Sequence, residues 1–233
     1  KIQGHVCGSG QTKHKEFAFA SGEMNVAEFI SFLKTSMANI AKHSVENSVH
    51  YICMDWRHIS ELLSASQDIY AKMLNMVVWC KKNGGMGSFY RSQHELICIF
   101  QNGKGSHVNN VELGKHGRYR TNVWHYAGVN SFGSEQKNLK MHPTVKPVEL
   151  VRDAILDASK RGDIVLDAFL GSGTTLIAAE KAGRVCYGIE YEPLYIDTII
   201  RRYYELTGNW AIHQSSQKSY EQLLQEKLEK NNE

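Results

Sequence analysis

The chain is predicted to be α/β, with a mostly parallel, twisted sheet and helices on both faces. Its 233 residues suit one large domain better than two small ones. Short apolar runs alternate with stretches of helical period, the pattern of strands wound with helices. The turn Gly171-Ser172-Gly173 joins one of those runs directly to a helical stretch.

The elements follow in order. Asn25 to His43 carries Val26, Phe29, Ile30, Leu33, Met37 and Ile40 at amphipathic spacing, with Asn25 as N-cap. Val49 to Met54 reads as a buried strand and His58 to Ala71 as one or two short helices. Asn75 to Cys80 and Gln93 to Phe100 read as further strands. Residues 101 to 141 are rich in Gly, Asn, His and Lys, with little period beyond Asn122 to Tyr126. Loops of that length are usually functional or disordered. Pro147 suits the first turn of a helix running to Ser159. Asp163 to Asp167 is a strand, Thr174 to Ala182 a helix stopped by Gly183, and Arg184 to Ile189 a strand. Pro193 opens a helix closed by Gly208, and Ser219 to Leu228 forms a last amphipathic one.

Composition narrows the class. Hydrophobic content is 42% and charge 22%, and no window approaches the run of about 20 apolar residues that a membrane span needs. Five cysteines, at 7, 53, 80, 98 and 186, show no C-x-x-C spacing and lie mostly in apolar stretches, so buried free thiols in a reducing cytoplasm are expected. The histidines show no metal spacing, and no metal site is expected. Net charge is +3, unevenly spread. Residues 1 to 141 hold 16 Lys+Arg against 10 Asp+Glu, and the remainder holds 11 against 14. A basic half suits a protein that meets a polyanion with one face.

The chemistry centres on Asp167-Ala168-Phe169-Leu170-Gly171-Ser172-Gly173-Thr174-Thr175. Two glycines between strand and helix let a ligand approach the backbone at the strand's carboxyl end. A phosphate-cradling loop needs a lysine before the hydroxyl residue, yet Gly173 runs straight into Thr174. A dinucleotide turn needs a third glycine where Leu176 stands, which argues against a nicotinamide-dependent oxidoreductase. Glu190 ends the next strand 17 residues beyond Gly173, near the spacing at which a carboxylate accepts ribose hydroxyls. A ribose without a pyrophosphate describes S-adenosylmethionine, and Tyr191 can lie against its adenine. The bland alternative makes Glu190 an ordinary charge at the N-terminus of the Pro193 helix.

His142-Pro143-Thr144-Val145-Lys146-Pro147, the Phe169-x-Gly171-x-Gly173 turn, and Glu190 with Pro193 resemble, in register, the cofactor-binding half of the N4/N6 amino-methylating DNA methyltransferases. Tyr51 to His58 and Ser88 to Phe100 resemble further motifs of that family, and the order of the blocks is similar to its permuted β group. The resemblance implies a Rossmann-like methyltransferase fold, S-adenosyl-L-methionine as cofactor and double-stranded DNA as partner. The implied reaction methylates an exocyclic base amine, adenine N6 ahead of cytosine N4, in the cytoplasm at the nucleoid. The implied cofactor residues are His142, Thr144, Lys146, Asp167, Phe169, Gly171, Gly173, Thr174, Glu190 and Tyr191.

On the same resemblance, residues 1–100 form the catalytic-half sheet and 101–141 a short target-recognition segment. Residues 142–215 form the cofactor half, and 216–233 a C-terminal helix or tail. Arg91 and His94 would stand near a flipped base. Lys115, Arg118 and Arg120, with Lys104, Lys137 and Lys140, would meet phosphates. For any one of these the alternative is a solvated or ion-paired side chain.

The family's Asp/Asn/Ser-Pro-Pro-aromatic tetrapeptide is absent: the three prolines stand at 143, 147 and 193. In the β group it would precede a glycine-rich loop such as Lys1 to Gly10, so the catalytic turn and its central strand are expected upstream of Lys1. No catalytic residue is identifiable, and a chain that binds cofactor or DNA without methyl transfer is the second reading.

Overall fold

The computed structural model describes residues 23–85, 89–128 and 145–230. Its first helix, α1 (Val26–Lys42), opens as its sequence requires. The Asn25 side chain accepts the Glu28 N–H at 3.0 Å, and the Glu28 carboxylate accepts the Asn25 N–H at 2.8 Å. There follow β1 (Val49–Met54), α2 (Ile59–Ser66), β2 (Lys72–Cys80), β3 (His94–Gln101) and β4 (Val123–His125). Next come α3 (Val148–Ala158), β5 (Ile164–Asp167), α4 (Thr174–Ala182), β6 (Val185–Gly188), α5 (Pro193–Thr207) and α6 (Tyr220–Lys230). The boundaries match the period-based expectations closely. The exceptions are α2, which stops at Ser66 instead of running on to Ala71, and β2, which starts at Lys72, before a register shift between Met73 and Asn75.

The strands form two ladders, ordered β1-β3-β2-β4 and β5-β6. Strand β3 runs antiparallel to both neighbours, while β4 is parallel to β2 and β6 to β5. All strands of the larger ladder but β3 therefore point one way, so the sheet is mostly parallel with one reversed strand. The reversal was not legible in an apolar run whose period is the same in either direction. Among the described residues, β1 and β5 each have a partner strand on one side only.

Alternation along the strands distributes the core over three layers. Cys98 and Phe100 on one face join Ile52, Met54 and Met76 under α1 and α2, around Met37, Leu62 and Tyr70. The opposite face sets Val77, Trp79, Ile97 and Trp124 against Leu150 and Ala154 of α3. Helix α3 turns its remaining surface, through Val151 and Ile155, to α4, β5 and β6. It therefore holds the two ladders in fixed relation. No helix among the described residues is long and apolar enough to cross a membrane. Cys53, Cys80, Cys98 and Cys186 are free thiols, and Cys7 lies outside the described residues.

Candidate functional site

Strand β5 delivers Asp167 to the turn, and the turn is fastened to β6. Leu170 N–H donates to the Ile189 carbonyl at 3.0 Å, and Ile189 N–H to that of Asp167 at 2.9 Å. The Asp167 carboxylate accepts the Phe169 N–H at 2.9 Å with one oxygen and the Thr175 hydroxyl at 2.6 Å with the other. Gly173 then caps α4 in the left-handed region, at φ 82°. The first N–H groups of α4, which have no partner within a helix, point into the space beside it.

Glu190 closes the turn from the second strand. One carboxylate oxygen accepts the Gly171 N–H at 2.7 Å and the other the Glu192 N–H at 2.9 Å. This goes beyond an ordinary charge at a helix start, because the carboxylate is tied to the glycine turn itself. Each oxygen keeps one further acceptor position, so the group can also take a pair of vicinal hydroxyls.

Lys146 enters from the segment before α3. Its carbonyl accepts the Thr174 hydroxyl at 3.4 Å. Cys53 of β1, Glu95 of β3 and Asp167 of β5 together hold its ammonium pKa above the usual lysine value, against the burial that would lower it. Burial also pushes the Cys53 thiol up. Lys146 thus marks where the ends of three strands meet, at the carboxyl ends of β1 and β5.

The structure gathers Asp167, Gly171, Gly173, Thr174 and Glu190 into one bonded turn, with Lys146 beside it. Phe169 is half-exposed, and its ring meets that of Phe32 in α1 edge-on at 6.2 Å. Tyr191 is exposed one residue beyond Glu190. His142 and Thr144 lie outside the described residues, as do Lys137 and Lys140.

Sequence reasoning missed Arg202. This residue of α5 is buried, and its guanidinium donates to the Ser172 carbonyl at 2.5 Å and to the Ser172 hydroxyl at 3.0 Å, gripping the turn from beneath. In an Arg-Arg pair on an amphipathic helix nothing local distinguishes it from a solvated charge. Gly188 was missed too: a Cβ there would stand 2.4 Å from the Leu170 side chain, so its absence lets the turn lie on β6.

The DNA-contact candidates are dispersed. Arg91 donates to the carbonyls of Gly84 and Gly85, and His94 begins β3 opposite Cys80. Arg118 pairs with Glu112 at 2.8 Å and donates to the Asn110 carbonyl. Arg120 lies 2.9 Å from Asp157 and 3.8 Å from Asp153, 4.4 Å over the Trp124 ring, so it fastens its segment to α3. Lys104 and Lys115 are exposed. Among the described residues no cluster of His, Cys, Asp or Glu could hold a metal ion.

A family model described as DNA methylase matches residues 11–201. The chain belongs to this N6/N4 DNA methylase family. Among its relatives is the type II methyltransferase M2.MboI of Moraxella bovis, 34% identical over 143 residues, covering 58% of this chain and 51% of that protein. M.HpaI of Haemophilus parainfluenzae is 26% identical over 197 residues, covering 78% and 62%. The chain thus spans about half to three fifths of the length of these relatives.

Among solved structures, the M1.HpyAVI-SAM complex superposes with a TM-score of 0.63 at 25% identity, covering 74% of this chain and 82% of that one. The cytosine-N4-specific PvuII DNA methyltransferase superposes with a TM-score of 0.65 at 16% identity, covering 82% and 75%. The second likeness speaks for the fold alone. The family uses S-adenosylmethionine and has the Rossmann-like methyltransferase fold expected from the motifs.

Proposed function

We propose that this DNA methylase chain binds S-adenosyl-L-methionine at the Asp167–Gly173 turn and serves methyl transfer to an exocyclic amine of a DNA base, adenine N6 or cytosine N4. The observation that carries the reading is the Glu190 carboxylate, bonded to the glycine turn through Gly171 N–H and retaining an acceptor position on each oxygen. The turn offers no lysine to neutralise a diphosphate, and it presents glycine backbone and the start of α4 instead. These features fit a ribose flanked by a zwitterionic amino acid.

When bound, the cofactor supplies a methyl carbon made electrophilic by its sulfonium. The chain's own part is placement. Glu190 accepts the ribose hydroxyls, and Tyr191 and Phe169 offer ring faces within a residue or two of the bonded turn. Lys146 keeps a positive charge where β1 and β5 end and β3 begins. Placing an amine in line with the methyl group supplies much of such catalysis.

The second reading, that the chain binds cofactor or DNA without transfer, is favoured by one observation: none of its 233 residues forms a Pro-Pro pair. Two measurements decide. Titration calorimetry with S-adenosylhomocysteine should show one site, and its absence would overturn the cofactor reading. Mass spectrometry of nucleosides from DNA incubated with chain and cofactor should show N6-methyladenine or N4-methylcytosine. Cofactor binding with neither product selects the second reading.

A further inference from the structure

The connection between β2 and β3 does not end where the ladder ends. Beyond Cys80 and His94 the two strands stay joined, Lys81 N–H to the Gln93 carbonyl at 2.8 Å and Gly85 N–H to the Ser92 carbonyl at 2.7 Å. Side chains brace this extension. Gln93 Nε2 donates to the Lys81 carbonyl at 2.8 Å, and Arg91 donates through Nε to Gly85 at 3.0 Å and through a terminal nitrogen to Gly84 at 2.5 Å. From the β1 side, Trp56 Nε1 donates to Ser92 Oγ at 3.0 Å. On this braced projection, directly before Arg91, stand Phe89 and Tyr90, 86% and 81% exposed, edge to face with ring centroids 4.5 Å apart. Trp56, bonded to Ser92, is 52% exposed.

Two neighbouring rings held in water on a braced support form an apolar tip, and the charge around them is basic. Of Arg57, Lys81, Lys82 and Arg91, Lys81 pairs with Glu95 at 2.5 Å and Arg57 lies 3.9 Å from Asp55, which leaves these segments with a net charge of +2. Strands β1 and β2 are both antiparallel to β3, so the Trp56 turn and the hairpin leave the sheet at the same end. Helix α1 links that end to the cofactor turn: its Phe29 ring lies 5.4 Å from the His58 ring, just past Trp56, and its Phe32 ring 6.2 Å from that of Phe169.

We propose that the Phe89–Tyr90 tip, with Trp56 at its base, is a wedge that enters double-stranded DNA and fills the space left when a base leaves the stack. Apolar rings inserted between base steps are a recurrent way of unstacking a duplex, and the flanking cations would lie against the backbone. Arg91 then acts as a positioning residue that shapes the tip. The inference rests on the DNA reading above.

The test compares a short intact duplex with the same duplex carrying an abasic site, where the space already exists. The wild-type chain should bind the abasic duplex roughly tenfold more tightly, and the Phe89→Ala/Tyr90→Ala double variant should lose that preference. The variant's unfolding midpoint and S-adenosylhomocysteine affinity should stay unchanged, and Phe89→Trp should retain the preference. A double variant that keeps the preference, or a wild-type chain that binds both duplexes equally, overturns the wedge alone. A wild-type chain that binds neither duplex at low salt overturns the DNA reading with it.

Discussion

Replacing Gly173 by alanine tests whether the turn is built as described. The residue sits at φ 82° and ψ 22°, and an L-residue forced into the left-handed region costs roughly 1–2 kcal/mol. The new Cβ would also stand 2.9 Å from Ile199 Cγ1, 3.2 Å from Cγ2 and 3.3 Å from Cβ. Ile199 is buried on α5, and its β-branch leaves it little rotamer freedom to retreat. Overpacking of this kind costs about 1–3 kcal/mol, so Gly173→Ala should destabilise by about 3 kcal/mol in total. Urea unfolding with an unchanged slope measures it.

A cycle with Ile199→Ala separates the two contributions. The steric part appears as a coupling energy of roughly 1–3 kcal/mol, and the backbone strain remains in both backgrounds. S-adenosylhomocysteine affinity should fall with the turn's geometry. A loss of under about 0.5 kcal/mol for the single variant, inside the range of ordinary surface changes, would refute this account of the turn.

Glu190→Gln replaces one carboxylate acceptor by an amide donor, which faces a backbone N–H and removes the charge. At about 1.5–3 kcal/mol for a charged hydrogen bond, S-adenosylhomocysteine affinity should drop roughly tenfold to a hundredfold, and calorimetry showing no change would count against Glu190 as the ribose acceptor. Arg202→Met leaves the Ser172 carbonyl without its buried donor, and a loss of roughly 2–3 kcal/mol in urea is expected. An unaltered midpoint would show that the grip on Ser172 contributes nothing.

Acid titration separates two groups that burial shifts with opposite effect on stability. His50, between the Ser48 hydroxyl and the Tyr70 hydroxyl, has its pKa pushed by burial to about 4. The stability it contributes is complete above pH 6.5 and is lost between there and pH 4, up to roughly 3 kcal/mol. Burial raises Asp157 to about 6, although Arg120 pulls it down, so its contribution grows as pH falls from about 6 towards 4. His50→Gln should therefore lose less stability than wild type between pH 6.5 and 4, and Asp157→Asn more. Parallel curves for all three proteins would contradict both assignments.

Much of this protein is written locally. Helix and strand positions follow from apolar period, caps and glycine stops, which act within a few residues of one another. The glycine turn and the carboxylate at 190 could be singled out for the same reason, since their residue types and spacing already restrict what the backbone there can bind, whereas the lysine at 146 was marked only by the family resemblance of its segment. Only the tertiary structure decided that β3 runs against its neighbours, that Arg202 reaches 30 positions back to hold Ser172, and that Arg120 fastens to α3. It also decided that the rings at 89 and 90 are lifted into solvent on a braced hairpin. Such features depend on pairing between distant segments, where the strand period is the same for either direction and a charged side chain looks alike whether it meets water or a buried carbonyl.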